Sequence, residues 1–305
     1  MRDDFCAFIL THGRPDRVTT YNTIRKHGYT GKIYVVIDDE DKTEDQYRER
    51  YGDEVLQFSK AEIAKTFDEG DNFNDRRAII YARNACWKLA EQVGCKYFIQ
   101  LDDDYSRFDW MLDKFAFACE VKVNQLDWLF TNLVSFLCKT PFHSVAISQS
   151  GDHIGGRQSS AVKSAQAKRK AMNSFVCSTE KPFQFVGRIN EDVNTYTSKQ
   201  RKGVAFMSFM QARLTQKQTQ SNSGGMTDLY LDSGTYVKSF YSVMYCPSAV
   251  VVGSLRGGGT RNGVDNNKPR LHHSINWNAV APLILRDDIK KGPRKATPIS
   301  AASEV

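Results

Sequence analysis

The sequence predicts an α/β protein whose mostly parallel, Rossmann-like sheet is flanked by helices and followed by a mixed second half. Three observations predict this. First, apolar runs at 6–14 (CAFILTHGR), 32–41 (KIYVVIDDED) and 96–105 (KYFIQLDDDY) are short enough for buried strands rather than helices. Second, each run ends in polar residues: Thr11-His12-Gly13-Arg14, Asp38-Asp39 and Asp102-Asp103-Asp104. Third, helical patterns lie between them, and a strand–helix–strand–helix–strand order favours parallel pairing. Ligands of such sheets bind beyond the carboxyl ends of the strands, so the three polar ends would surround one crevice.

Taken in order, 17–26 reads as a helix with Gly28 as its C-cap. In 75–93, Ala78, Ala82, Cys86, Leu89 and Val93 recur at the spacing of one helix face, with Asn74 or Asp75 to open the helix and Gly94 to close it. The stretch 109–137, rich in Phe and Trp, reads mainly as a core helix. HSVAISQ at 143–149 alternates like a strand. QSSAVKSAQAKRKAMN at 158–173 has little apolar content and reads as a mobile surface insertion. Beyond Phe183, the pieces FQFVG and GVAFMSFMQ and the segment 235–253 look strand-like and antiparallel. Residues 291–305 have the composition of a disordered tail.

The chain has 305 residues, 41% hydrophobic and 25% charged, enough for a substantial core. No apolar run approaches the roughly 18 residues of a membrane span, and the amino terminus does not read as a signal peptide. The seven cysteines (Cys6, Cys86, Cys95, Cys119, Cys138, Cys177 and Cys246) are scattered and form no CxxC, so they read as buried thiols of a reducing cytoplasm. The net charge of +7 is uneven: 157–202 holds ten basic residues against three acidic ones, and 256–295 is a second basic stretch. This asymmetry suggests a polyanionic partner. Charge for solubility alone is the other reading.

The residues suited to chemistry begin with the three aspartates. Alternation along a strand would aim Asp102 and Asp104 at one point and turn Asp103 away. Two carboxylates held together repel unless a proton or a cation sits between them, and Mg²⁺ or Mn²⁺ fits that need. A solvated acidic turn is the plainer alternative. Glu191-Asp192, after an apolar run, could supply a general base or merely the acidic first turn of a helix. The Gly-rich 251–263, with Arg256 and Arg261, could close over a diphosphate or be a surface loop. His272 or His273 could ligate a metal; neighbours on a strand face opposite ways, and His272 is slightly preferred. Arg83 could reach a phosphate or sugar hydroxyl, or lie on an exposed helix face. The polar, amide-rich 218–236 suits recognition of a sugar or base.

Together these residues resemble the GT-A nucleotide-sugar glycosyltransferases. Within that fold, the pattern THGRP…VVIDD…LDDDY…INED…GGMTDLY is similar to the phage and kinetoplastid enzymes that glycosylate 5-hydroxymethylpyrimidines in DNA. The resemblance implies a nucleotide-sugar half at 1–110 and an acceptor half at 111–290 of one domain. It further implies Mn²⁺ or Mg²⁺ held by Asp102 and Asp104 with His272 or His273. A UDP-sugar would be bound by Thr11, His12, Gly13, Arg14, Asp38, Asp39, Arg83, Asp103 and Arg256. Asp192 would act as the base, with Glu191 beside it, leading to inversion. The acceptor would be DNA carrying a hydroxymethylated pyrimidine, and the setting the cytoplasm, of a host cell if the source is viral. A GT-A enzyme acting on a glycan or protein, and a non-catalytic nucleic-acid-binding protein, are the competing readings.

Overall fold

The computed structural model describes residues 1–112, 117–153, 168–216, 236–255, 260–261, 264–265 and 270–281. The expectations for Arg256, for 218–235, for 158–167 and for the tail at 291–305 fall outside these residues.

One nine-stranded sheet runs through both halves of the chain. It contains β1 (Phe5–Leu10), β2 (Lys32–Asp38), β3 (Val55–Phe58), β4 (Tyr97–Asp102), β5 (Tyr105–Leu112), β6 (Phe117–Lys122), β7 (Phe142–Gln149), β8 (Phe175–Ser178) and β9 (Ala205–Gln216), in the order β3-β2-β1-β4-β8-β7-β9-β5-β6. Strands β1 to β4 pair in parallel, as does β7 with β9; only β8 and β5 run against the other seven. Burial on both faces explains the unbroken apolar runs. Phe5, Ala7 and Ile9 join one core, under α1 (Thr19–Lys26) and a later helix, Leu126–Lys139. Cys6, Phe8 and Leu10 join the other, under the helix Ile80–Gln92.

The helices are α1, α2 (Glu44–Tyr51), α3 (Lys60–Ala64), α4 (Ile80–Gln92), α5 (Leu126–Lys139), α6 (Glu191–Gln200), α7 (Val237–Tyr245) and α8 (Trp277–Val280). A small hairpin pairs β10 (Val250–Leu255) with β13 (Arg270–Ile275), and a two-residue pair joins β11 (Thr260–Arg261) to β12 (Val264–Asp265).

Only two residues, Asp103 and Asp104, join β4 to β5, which stand fourth and eighth in the sheet. Three Cα–Cα steps reach at most about 11 Å, whereas four strand spacings of a flat sheet cover about 19 Å. The sheet must therefore curl, so that the far part of β9 carries β5 back over the end of β4.

Several expectations change. The described residues between 109 and 122 are strand, not helix (β5 to Leu112 and β6 from Phe117); the helix begins at Leu126. Phe108, Asp109 and Met111 are all buried, so burial on both faces erased the period-two signal. The strand-like 235–253 contains α7 before β10, and FQFVG has no regular structure. Helix α4 starts at Ile80, after 75, and its buried residues are Ile80, Tyr81, Arg83, Ala85, Cys86, Leu89 and Ala90; Ala78, Ala82 and Val93 are half-buried. The described end of the expected surface insertion is docked. There Ala171 is buried, Arg169 pairs with Asp152 at 2.8 Å, and the Lys168 ammonium donates to the Asn278 side chain at 2.8 Å.

Candidate active site

The strand ends meet through their side chains. The Thr11 hydroxyl donates to Asp103 at 2.6 Å and lies 3.0 Å from the Tyr47 hydroxyl, which accepts the Arg14 backbone N–H at 2.8 Å. The Arg14 guanidinium reaches Asp103 at 3.2 Å. Burial raises the Asp103 pKa, while Arg14 and Thr11 pull against that rise. His12 Nδ1 lies 2.7 Å from Asp38, and the Lys60 ammonium pairs with the same carboxylate at 2.8 Å. Burial alone would raise the Asp38 pKa, but His12 and Lys60 outweigh it and hold the group below its ordinary value. The Gly13 N–H donates to Asp41 at 2.7 Å, from a backbone at φ +65° that favours glycine. Asp39 is exposed and accepts the Lys60 backbone N–H at 2.9 Å, at the start of α3.

Tyr47, Asp41 and Lys60 were missed in the sequence. Tyr47 showed only as the one buried position of the charged helix EDQYRERY, and nothing local marked Lys60.

On the other side of the aspartate turn, Arg83 is 1% exposed, not on a helix surface. Its guanidinium lies near the faces of Phe175 and Phe185, 5.2 and 5.7 Å from their centroids. It donates to Asp102 and to Glu191, both at 3.0 Å. This bridge joins two acidic segments 89 positions apart in the sequence (191 − 102). Burial pushes the Asp102 carboxyl up. Arg83 opposes the rise, Asp104, Glu191 and Asp103 add repulsion, and the outcome is about 7.

The strand ends at Asp102, so simple alternation does not orient Asp103 and Asp104, which form the turn. Asp103 nevertheless faces Thr11 and Arg14 while Asp102 faces Arg83, and Asp102 and Asp104 are close enough to repel.

Glu191 and Asp192 open α6, so the two alternative readings hold together: they form an acidic first turn and also part of the buried cluster. Asn190, at φ +62°, turns the chain into this helix. Asp192 is 6% exposed. Burial and then Glu191 raise its pKa to about 6, against the Val193 N–H, Arg83 and Lys170.

Of the two histidines, His273 turns inward at 6% exposure with both ring nitrogens buried and without a hydrogen-bond partner, while His272 is half-buried. The preference for His272 therefore passes to its neighbour. Their rings do not diverge but approach to 4.1 Å between centroids. Burial, with His272, Lys170 and Lys238, lowers the His273 pKa to about 3, which keeps the imidazole neutral.

The expected metal set is not assembled, because among the described residues no three His, Cys, Asp or Glu side chains are grouped to hold an ion. The Asp102–Asp104 pair still fits a divalent cation of the kind bound by one or two carboxylates, with the remaining ligands from substrate phosphates and water.

Some basic residues counted in 157–202 serve the fold. Arg188 is buried and pairs with Asp71 at 2.8 Å; Lys181 donates to the carbonyls of Leu137 and Thr140 at 2.7 and 2.6 Å, at the end of α5. Of the cysteines, Cys6, Cys86, Cys95, Cys177 and Cys246 are buried free thiols and Cys138 is exposed. No helix among the described residues is long and apolar enough to cross a membrane.

The architecture is α/β: a mostly parallel sheet with its acidic strand end set against a second carboxylate pair. Residues 5–225 match the family model of the TET-associated glycosyltransferases, and the chain belongs to that family. Solved structures similar to it include two of glucosyl-3-phosphoglycerate synthase from Mycobacterium tuberculosis. One holds Mn²⁺, UDP and glucosyl-3-phosphoglycerate (11% identity, 90% of this chain and 88% of that one, TM-score 0.44). The other holds Mn²⁺, UDP and phosphoglyceric acid (12% identity, 90% and 87% coverage, TM-score 0.43). No curated protein matched the chain.

Proposed function

We propose that this glycosyltransferase moves a sugar from a UDP-sugar to the hydroxymethyl group of a modified pyrimidine in DNA, with inversion at the anomeric carbon. The observation that carries the reading is the Arg83 bridge, which sets the aspartate turn and the buried Glu191-Asp192 pair side by side. The half at 1–110 would take the donor at Thr11, His12, Gly13, Arg14, Asp38, Asp39 and Asp103, and the half at 111–290 the acceptor. The acceptor class is compatible with the family's name and with the net charge of +7.

Asp102 and Asp104 would hold Mn²⁺ or Mg²⁺, which when bound supplies charge neutralisation at the leaving diphosphate. Arg83 fixes Asp102 and limits the repulsion among the carboxylates. Asp192 accepts the proton of the acceptor hydroxyl, and its raised pKa places it nearer to working pH than an ordinary aspartate. Reaching a base within a duplex requires extruding it.

The test is incubation with UDP-sugars and hydroxymethylated or unmodified DNA, followed by digestion and mass measurement of the nucleosides. Sugar on the hydroxymethylated nucleoside alone supports the proposal. Transfer to a glycan or protein instead, with DNA untouched, overturns the acceptor. Binding of DNA with no transfer from any donor overturns the reaction.

A further inference from the structure

A cavity of about 370 Å³ lies outside the residues placed in the chemistry above, lined by Gln149, Asp152, Arg169, Lys170, Met172 and Trp277. Its walls come from the end of β7, the segment before β8, and α8. The Lys168 ammonium ties two of these walls together at Asn278.

Three features specify an occupant. First, the Trp277 indole is stacked nearly parallel on Tyr196, 5.7 Å between centroids and 17° between planes, so its ring is held in a fixed orientation. Second, the Gln149 side-chain nitrogen is buried in the cavity wall with no hydrogen-bond partner. An amide donor left so costs stability unless a ligand accepts from it. Third, the cavity adjoins Asp192. Tyr196 lies one helical turn from Asp192 on α6, on the same face. Lys170 in the wall acts on the Asp192 carboxyl, and both Asp152 and Asp192 act on the Tyr196 hydroxyl, which is buried and unpartnered.

A planar, stackable ligand with a carbonyl oxygen fits a fixed aromatic plane beside an amide donor. Lys170 in the wall and Lys168, which contacts Asn278 on α8, suit the phosphates on either side of such a ligand.

We propose that this cavity receives the extruded acceptor pyrimidine, stacked on Trp277, with the Gln149 amide donating to a ring carbonyl oxygen. The base would then present its hydroxymethyl group towards Asp192. This inference rests on the DNA acceptor proposed above, and it assigns that acceptor a place.

The test compares the full chain's affinity for two oligonucleotides, without donor: one carrying a hydroxymethylpyrimidine at the target position, the other abasic there. Wild type is expected to prefer the base-bearing strand by about 5- to 150-fold, the range of a base–aromatic stack. Trp277→Ala should bring that ratio close to one, and Trp277→Phe should keep most of it. Gln149→Leu, which needs no repacking of the stack, should lower the ratio by about 5-fold. Affinity for UDP should stay unchanged in all three. If wild type shows the preference and neither Trp277→Ala nor Gln149→Leu reduces it, the pocket assignment falls while the DNA acceptor stands. If wild type binds neither strand, the DNA acceptor itself falls. Loss of transfer to a saccharide in Trp277→Ala, with DNA ignored, gives the pocket to a glycan and overturns both.

Discussion

Arg83 bridges the two acidic segments. It is fully enclosed and satisfies two carboxylates that would otherwise repel inside the protein. Replacing it with Met leaves Asp102 and Glu191 without their cation. Breaking a buried pair in this way costs about 3–5 kcal/mol, so Arg83→Met should unfold at markedly lower denaturant than wild type. Asp192 shapes the pH profile. As the proposed base it must be deprotonated, and its folded pKa is raised to about 6. Turnover should rise as pH increases through about 6 and level off above it. Asp192→Asn should cut turnover about 10²- to 10⁴-fold with UDP affinity unchanged. Normal turnover in that variant would assign the proton to another group, Glu191 being the nearest candidate. The residue scale also shows what a sequence hides. Glu191-Asp192 and the aspartate triplet were legible as carboxylate clusters. The arginine between them was read as a contact to a phosphate or sugar hydroxyl, or as an exposed helix residue, because a guanidinium enclosed among Phe175, Phe185, Asp102 and Glu191 depends on chain segments far apart in the sequence.

At the scale of elements, the turn into α6 decides where the carboxylate pair points. Gly187 precedes it at φ +78°, and an added Cβ would stand 2.3 Å from the Asn194 amide nitrogen and 2.5 Å from the Tyr245 ring. Gly187→Ala therefore meets both a backbone conformation that side chains rarely adopt and a filled space. We expect it to lose more than the roughly 1 kcal/mol of an ordinary substitution, seen as a lower melting temperature, and to weaken transfer through misplacement of Asp192. The carbonyls of Asp68 and Glu69 accept the Gly187 and Arg188 N–H groups at 2.8 and 2.7 Å, so the loop after α3 braces the same turn. The strand–helix–strand opening was legible because each strand is a short local run. The pairing of β5 with β6 was not, since β5 is buried on two faces, and α7 was misread as strand because its aromatic and β-branched residues favour one, although Pro247 marks a turn before β10.

For the whole molecule, charge governs the approach of the proposed partner. Some of the basic residues in 157–202, Arg188 and Lys181 among them, are spent inside the fold, so net charge overstates the surface available to phosphates. Lys170 lines the cavity, and Lys168 contacts Asn278 on α8. Replacing both with Gln should reduce the slope of log affinity against log salt by about one to two for oligonucleotide binding. An unchanged slope would show that DNA phosphates do not reach this rim. The proposed donor residues lie at the ends of β1, β2 and β4. UDP with Mn²⁺ should raise the melting temperature more than UDP alone, in proportion to the logarithm of ligand excess. Equal shifts would remove Asp102 and Asp104 from the donor site.

The short link of Asp103 and Asp104 has a mechanical consequence. A tether with no slack transmits any shear between the two ends of the curled sheet straight into the spacing of the acidic groups it carries. One glycine inserted between Asp103 and Asp104 would let those groups drift apart while every strand kept its partners.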